Sequence, residues 1–332
     1  MELPQALQAA LEDELASQPT KKLAAAVAEL SHRYRAGGAS GASPFIRSPE
    51  EVAAYAAFRL PATFAAVASA LGQAQERLPN WTPRTLLDVG AGPGTAMWAA
   101  ADTWPEIEQI TLVEREEGMI ALGKRLAASS PLATLQYARW LRADLAGVWE
   151  AAPHDLVVAA YVLGELTEEK SAALLQKLWG ISQGVLLIVE PGTPAGFARI
   201  RTARQDLIAA GAQVIAPCPH NQSCPMPEHD WCHFSQRVAR SRLHRQVKGG
   251  ELPYEDEKFS YVALSCIRGT AIPGRVIRHP QIRPGHIHLE VCAPQGLTKI
   301  TITRKDHALF RQARDVRWGS VLPTGEQEDG EH

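Results

Sequence analysis

The segment that most constrains this chain is Leu86-Leu87-Asp88-Val89-Gly90-Ala91-Gly92-Pro93-Gly94-Thr95. An apolar run with an acid near its end reads as a strand, three glycines follow at alternate positions, and a helix begins near Thr95. Glycine lets the backbone turn sharply and approach a ligand, while a helix start offers free N–H groups. From Thr85 onward, short apolar runs alternate with helical stretches, the texture of βαβ units in a parallel sheet. Strands are predicted at Thr85–Val89, Gln109–Val113, Leu135–Ala138, Asp155–Ala160, Gly184–Val189 and Gln213–Ala216, with a helix from about Ala195 to Ala210. A seventh strand, Lys258–Ser265, closes the doubly wound sheet in the antiparallel sense, and its spacing suggests an edge position. After Ala271, strands are predicted at Arg275–His279, His286–Cys292 and Lys299–Thr303.

Three regions follow from this reading. Residues 1–82 form an alanine-rich helical region with a Gly/Ser-rich break at Gly37–Ser43. Within it, Ser48-Pro49-Glu50-Glu51 is a capping box that starts a helix, which Pro61 is expected to interrupt. Residues 83–270 form the Rossmann-like sheet with a cysteine-rich insert at 217–250, and 271–332 a β extension ending in an acidic tail. At 332 residues and 45% apolar, the chain can bury a sizeable core. Its longest apolar run, Leu156–Leu163, falls far short of the roughly 20 residues that span a bilayer, so no membrane partner is expected. Met1-Glu2-Leu3-Pro4 and the early acids Glu12, Asp13 and Glu14 do not suit a signal or transit peptide. The expectation is a cytoplasmic, bacterial protein, monomeric by preference.

The glycine pattern departs from the G-x-G-x-x-G of dinucleotide sites and suits a nucleoside ligand without a pyrophosphate. Glu114, at the end of the second strand, can accept the ribose hydroxyls. Asp144 can hold the adenine amino group. S-Adenosylmethionine fits this pattern, with Asp88, Gly90, Gly92, Gly94, Thr95, Glu114 and Asp144 as the candidate cofactor residues. Tyr161 to Glu165 occupies the place after the fourth strand where substrate chemistry is usually found, but no residue there announces methyl transfer.

Cys218, Cys224 and Cys232 lie within fifteen residues at a C-x5-C-x7-C spacing. That spacing is wider than zinc sites normally use, and prolines follow two of the cysteines, which favours an iron–sulfur cluster wrapped by a loop. Cys266 and Cys292 compete for the fourth position. Cys218 follows a parallel strand, Cys266 ends an antiparallel one at the opposite edge, and one more reversal brings Cys292 back, so Cys292 is preferred. Cys266 then reads as a small buried apolar side chain. A zinc site with one of His220, His229 or His233 is the alternative.

From Phe234 to Lys248 the chain reads as a basic helix. Arg237, Arg240, Arg242, Arg245 and Lys248 occur there without an acid, which suits either a solvated face or a phosphate-tracking RNA surface.

Taken together these motifs resemble one family, the methyltransferase-like assembly factors of the small ribosomal subunit, found in mitochondria and bacteria. The resemblance runs from about Leu30 to Leu322. It rests on Tyr55-Ala56-Ala57-Phe58-Arg59-Leu60-Pro61-Ala62-Thr63, the Asp88–Thr95 loop, Glu190-Pro191-Gly192-Thr193-Pro194, Cys218-Pro219-His220 and Trp231-Cys232-His233-Phe234-Ser235-Gln236. It continues through Lys258-Phe259-Ser260-Tyr261, His286-Ile287-His288, Cys292-Ala293-Pro294 and Arg317-Trp318-Gly319. The resemblance implies a class I S-adenosylmethionine methyltransferase fold and a 4Fe-4S cluster on Cys218, Cys224, Cys232 and Cys292. It also implies binding to small-subunit ribosomal RNA. The competing reading is a small-molecule methyltransferase with a structural zinc loop.

Overall fold

The computed structural model describes residues 1–16, 18–35, 46, 48–240 and 253–325. Helices α1 (Gln5–Ala16), α2 (Thr20–Arg35) and α3 (Pro49–Arg77) precede the sheet. Ser48 caps α3 by accepting the Glu51 N–H, with Pro49 in the first turn where its missing donor costs nothing. Pro61 does not interrupt α3, contrary to expectation. Leu60, Ala62, Phe64 and Ala65 on either side of it are buried, and this packing outweighs the roughly 3 kcal/mol that an interior proline costs. By length and composition alone α3 could cross a membrane, but 61% of its apolar window is packed inside the protein.

The main sheet comprises β1 (Thr85–Val89), β2 (Gln109–Glu114), β3 (Arg139–Arg142), β4 (His154–Ala160), β5 (Ser182–Pro191), β6 (Gln213–Ala216), β7 (Phe234–Ala239) and β8 (Tyr254–Ser265). Its order is β3-β2-β1-β4-β5-β8-β6, with β7 also paired to β8. The first five strands run parallel, and β8 runs antiparallel to both β5 and β6. Helices α4 (Thr95–Thr103), α5 (Glu117–Ala128), α6 (Ala133–Gln136), α7 (Glu168–Ile181) and α8 (Pro194–Ala209) connect the strands. This is the doubly wound α/β architecture anticipated from the sequence, with three departures.

The segment Leu135–Ala138 is not a strand. A short helix buries Leu135, and the third strand begins after it, where Trp140 and Leu141 pair with Leu112 and Val113. Nor is β8 at an edge. It lies between β5 and β6, and Phe259 to Ser265 are all buried, as expected for a strand with α3 packed on one side and α8 on the other. Lastly, Phe234–Ala239 is a strand and not a helix. Its ladder runs from Phe234 opposite Phe259 to Ala239 opposite Tyr254, while Phe234 and Val238 turn inward. Long-range pairing with the exposed half of β8 overrides the local pattern.

A second, smaller sheet follows: β9 (Arg275–Val276), β10 (Gln281–Arg283), β11 (His286–Ala293) and β12 (Gly296–Thr303), then helix α9 (His307–Ala313). Val276, Ile287, Leu289, Val291 and Ile302 form its core with Ala313. Completely burying each large aliphatic side chain contributes about 2 kcal/mol.

Candidate functional site: an acidic cleft and a four-cysteine cavity at one sheet edge

The strands of the parallel sheet deliver their carboxyl ends to one edge, and β1 and β4 flank the point where the connections change direction. Ligands of open α/β sheets bind there. Gly90, Gly92 and Gly94 all adopt positive φ, at 64°, 55° and 78°, a backbone that only glycine takes readily. These turns carry the loop along an open cleft, with the Gly90 and Ala91 N–H groups held by the Val113 carbonyl and the Gly94 N–H by the Ala91 carbonyl.

Gly90, Gly92, Glu114 and Asp144 line this cleft with Tyr55, Arg115, Glu116, Met119, Tyr161 and Glu165. Asp88, Gly94 and Thr95, also cofactor candidates, are not among the residues that line it. Asp88 is 1% exposed, and its Oδ2 has no hydrogen-bond partner. Burial, with the Glu114 carboxylate nearby, pushes the Asp88 carboxyl far above its usual range. Glu114 accepts the Gly92 N–H at 2.7 Å and the N–H groups of Arg115 and Glu116 at 2.8 Å. These bonds tie the end of β2 to the glycine loop. Burial still raises its carboxyl, against the lowering effect of those N–H groups. Asp144 stays half-exposed, 3.9 Å from Arg115.

The Tyr161–Glu165 segment, singled out by its place after the fourth strand, is surrounded by residues from distant elements. Tyr161 has φ 62°, an unusual backbone for an aromatic residue. Its hydroxyl donates to Glu257 Oε1 at 3.0 Å, and Glu257 pairs with Arg59 at 3.3 Å. The Arg59 guanidinium sits 5.1 Å from the Tyr161 ring. The three residues come from α3, the end of β4 and the protruding half of β8, so no local motif could have grouped them.

Glu165 lines the cleft wall and remains exposed to solvent. Loss of water around it and repulsion from Glu114 push its carboxyl up to about 7. The native state therefore binds more protons than the unfolded chain between the ordinary carboxylate value of 4.5 and about 7. Stability should fall as pH rises through that window. Thermal unfolding from pH 4.5 to 7 should show this decline, and Glu165→Gln should flatten it. An unchanged slope would contradict the raised carboxyl.

The second feature lies on the same edge, beyond β6. Cys218, Cys224, Cys232 and Cys292 line one apolar cavity with Phe197, Met226 and Ile277. Cys266 is elsewhere: it ends β8 at the opposite edge, is exposed rather than buried as expected, and donates to the Gln183 carbonyl at 3.5 Å. Burial and the neighbouring thiols raise Cys232 well above its ordinary value and Cys292 to about 12, so free thiols here stay protonated. His220 Nε2 is 3.8 Å from Cys292 Sγ. No group of three or more Cys, His, Asp or Glu among the described residues is close enough to hold a single ion.

Positive charge surrounds these thiols. Arg77, Arg204 and Arg275 are 5%, 4% and 1% exposed. Arg77 donates to the Cys218 carbonyl, Arg204 to the His220 and Gln222 carbonyls, and Arg275 to the Pro217 carbonyl. Arg204 Nε and Arg275 Nη2 nonetheless remain without acceptors, although Arg275 Nη1 lies 3.6 Å from Glu76 Oε2. Burial, then repulsion from Arg275, lowers Arg77. Buried cations with unmet donors call for a nearby negative charge.

The expected basic surface is not a basic surface as far as the structure describes it. Arg237 pairs with Asp256 at 2.9 Å, and Arg240 with Glu255 at 3.1 Å. Both acids sit on β8, across the ladder. Arg242, Arg245 and Lys248 lie outside the described residues, as does the acidic tail from Glu326.

The family model described as mitochondrial small ribosomal subunit Rsm22 matches residues 49–323. The chain is 33% identical over 292 residues to the human "Ribosome assembly protein METTL17, mitochondrial", covering 81% of this chain and 62% of that protein. It is 24% identical over 293 residues to the "Rsm22-cox11 tandem protein 2, mitochondrial" of Schizosaccharomyces pombe, covering 72% and 38%. The chain thus spans less than two thirds of either relative's length. Among solved structures it is similar to magnesium protoporphyrin IX methyltransferase from Synechocystis PCC 6803 with bound SAM, at 14% identity and TM-score 0.40, covering 71% of this chain and 90% of that one. The expectation of a cytoplasmic protein is overturned here, since these curated relatives are mitochondrial and point to that compartment. The acids near Met1 were weak grounds for excluding it, because they say nothing of where a folded domain resides. With a match running from the start of α3 through the second sheet, this chain belongs to the Rsm22 family.

Proposed function

We propose that this chain binds S-adenosylmethionine in the acidic cleft, carries a 4Fe-4S cluster on Cys218, Cys224, Cys232 and Cys292, and acts on small-subunit ribosomal RNA during ribosome assembly. The observation that carries the reading is the pairing of two oppositely charged sites on one sheet edge. S-Adenosylmethionine bears a sulfonium, an ammonium and a carboxylate, so it is a net cation. A cleft lined by Glu114, Glu116, Asp144 and Glu165 favours such a ligand, and Gly90 and Gly92 keep side chains out of its wall.

A cluster held by four thiolates is a net anion. The cysteine cavity has four thiols, apolar walls, and buried arginines with unmet donors, which fits such a group. Bound there, the cluster would tie the loop after β6 to β11 and so join the two sheets. The role in assembly is supported by membership of a small-subunit family and by the name of the human relative, a ribosome assembly protein.

Metal content tests the reading against the small-molecule enzyme. Protein purified without air should contain about four irons and about four acid-labile sulfides per chain. One zinc and no iron would transfer support to the alternative.

A further inference from the structure

The second sheet holds a positively charged groove that neither the glycine loop nor the cysteine cavity uses. Arg283 from β10, Arg304 after β12, and His307, Arg311 and Arg314 on or just beyond α9 line one open groove with Phe310. The positions of His307, Phe310, Arg311 and Arg314 are those of one helix face, three, four and seven residues apart. The Arg304 N–H donates to the Gly285 carbonyl at 3.1 Å, which holds the β10–β11 turn against the start of α9.

Among the described residues none of Arg283, Arg304, Arg311 and Arg314 is engaged by a carboxylate, and no acid lines the groove. The adjacent Asp306 is already used, since it caps α9 by accepting the Leu309 N–H at 3.2 Å. Asp315 pairs with none of the four. Beside the groove, Ile282 is 58% exposed. Arg237 and Arg240 are different, because each faces an acid on β8. Four open guanidiniums on a rigid turn-and-helix frame present a field that a polyanion with regularly spaced phosphates can neutralise.

We infer that this groove is an RNA-backbone-binding surface of the chain, with Arg283, Arg304, Arg311 and Arg314 contacting phosphates and the ion-paired Arg237 and Arg240 secondary. The inference rests on the proposed action on ribosomal RNA and specifies where the RNA lies. Each phosphate contact releases counterions, so its loss weakens binding across sequences and shallows the salt dependence.

The experiment measures the affinity of the metal-loaded protein for a fluorescein-labelled fragment of small-subunit ribosomal RNA across a range of salt. Replacing two contacts, in the Arg311→Glu/Arg314→Glu variant, should weaken binding by about tenfold or more and reduce the magnitude of the salt slope by about 1 to 2. Arg237→Gln/Arg240→Gln should weaken it by less than about threefold, as expected of arginines already in surface ion pairs. Arg311→Lys/Arg314→Lys keeps the charge and should keep most of the slope, and circular dichroism separates lost binding from lost folding. If the charge reversal unfolds the protein, the neutral Gln pair compared with the Lys pair at the same positions gives the result. Wild-type binding that survives every groove variant would overturn the groove while leaving the RNA reading intact. Absence of wild-type binding would overturn both, and tighter binding to anionic vesicles than to RNA would assign the groove to a membrane instead.

Discussion

Replacing Cys292 with alanine should strip most of the metal from the protein and lower its Tm by about 10 °C or more, whereas Cys266→Ala should change neither. The contrast follows from position. Cys292 is buried in the cavity with Cys218, Cys224 and Cys232, whereas Cys266 is exposed at the far end of β8. If the proposed cluster is bound there, losing one ligand removes a bond to it and leaves the buried Arg204 Nε without a nearby negative charge. A structural metal supplies folding free energy outright, so the loss of one held between the loop after β6 and β11 should be felt across both sheets. Equal metal content and equal Tm in the two variants would show that Cys292 is no ligand.

The second large effect should come from the glycine loop. Gly92→Val should weaken S-adenosylmethionine binding by about a hundredfold or more, measured by titration calorimetry, while lowering Tm by only a few degrees. Gly92 has φ 55°, and a side chain there would pay about 1–2 kcal/mol in backbone strain. A Cβ at this position would meet the Tyr55 hydroxyl at 3.6 Å, so space alone does not exclude a small residue. The loss of binding should arise because a β-branched side chain projects into the cleft and shifts the N–H that Glu114 now holds at 2.7 Å. Undiminished affinity would mean that the ligand does not approach this loop.

The parts of this molecule legible in its sequence are those set by local pattern. The strand-loop-helix at Thr85–Thr95, the Ser48 cap and the strands β1 and β6 follow from periodicity, capping chemistry and glycine spacing. The parts that were misread depend on distant partners. Pro61 remains helical because residues on both sides of it are buried in the core. Phe234–Ala239 becomes a strand because the protruding half of β8 offers it a ladder. The same strand pairing brings Asp256 opposite Arg237 and places Glu255 within 3.1 Å of Arg240, so these two arginines are ion-paired.

The candidate site divides in the same way. Glycines and cysteines could be singled out by spacing, but the Arg59–Glu257–Tyr161 network and the buried Arg77, Arg204 and Arg275 could not. Their roles exist only once three or more elements meet. The groove on the second sheet was equally hidden, since Arg283 and Arg304 look like ordinary turn residues until β10 and α9 are brought together.

The central claim is that this chain works on the small ribosomal subunit. The most direct measurement is sedimentation of the metal-loaded protein with purified small and large ribosomal subunits, including small-subunit precursors. The account predicts that the protein travels with small-subunit particles and leaves them as salt is raised. A protein that stays at the top of the gradient at low salt, or travels equally with both subunits, would contradict it.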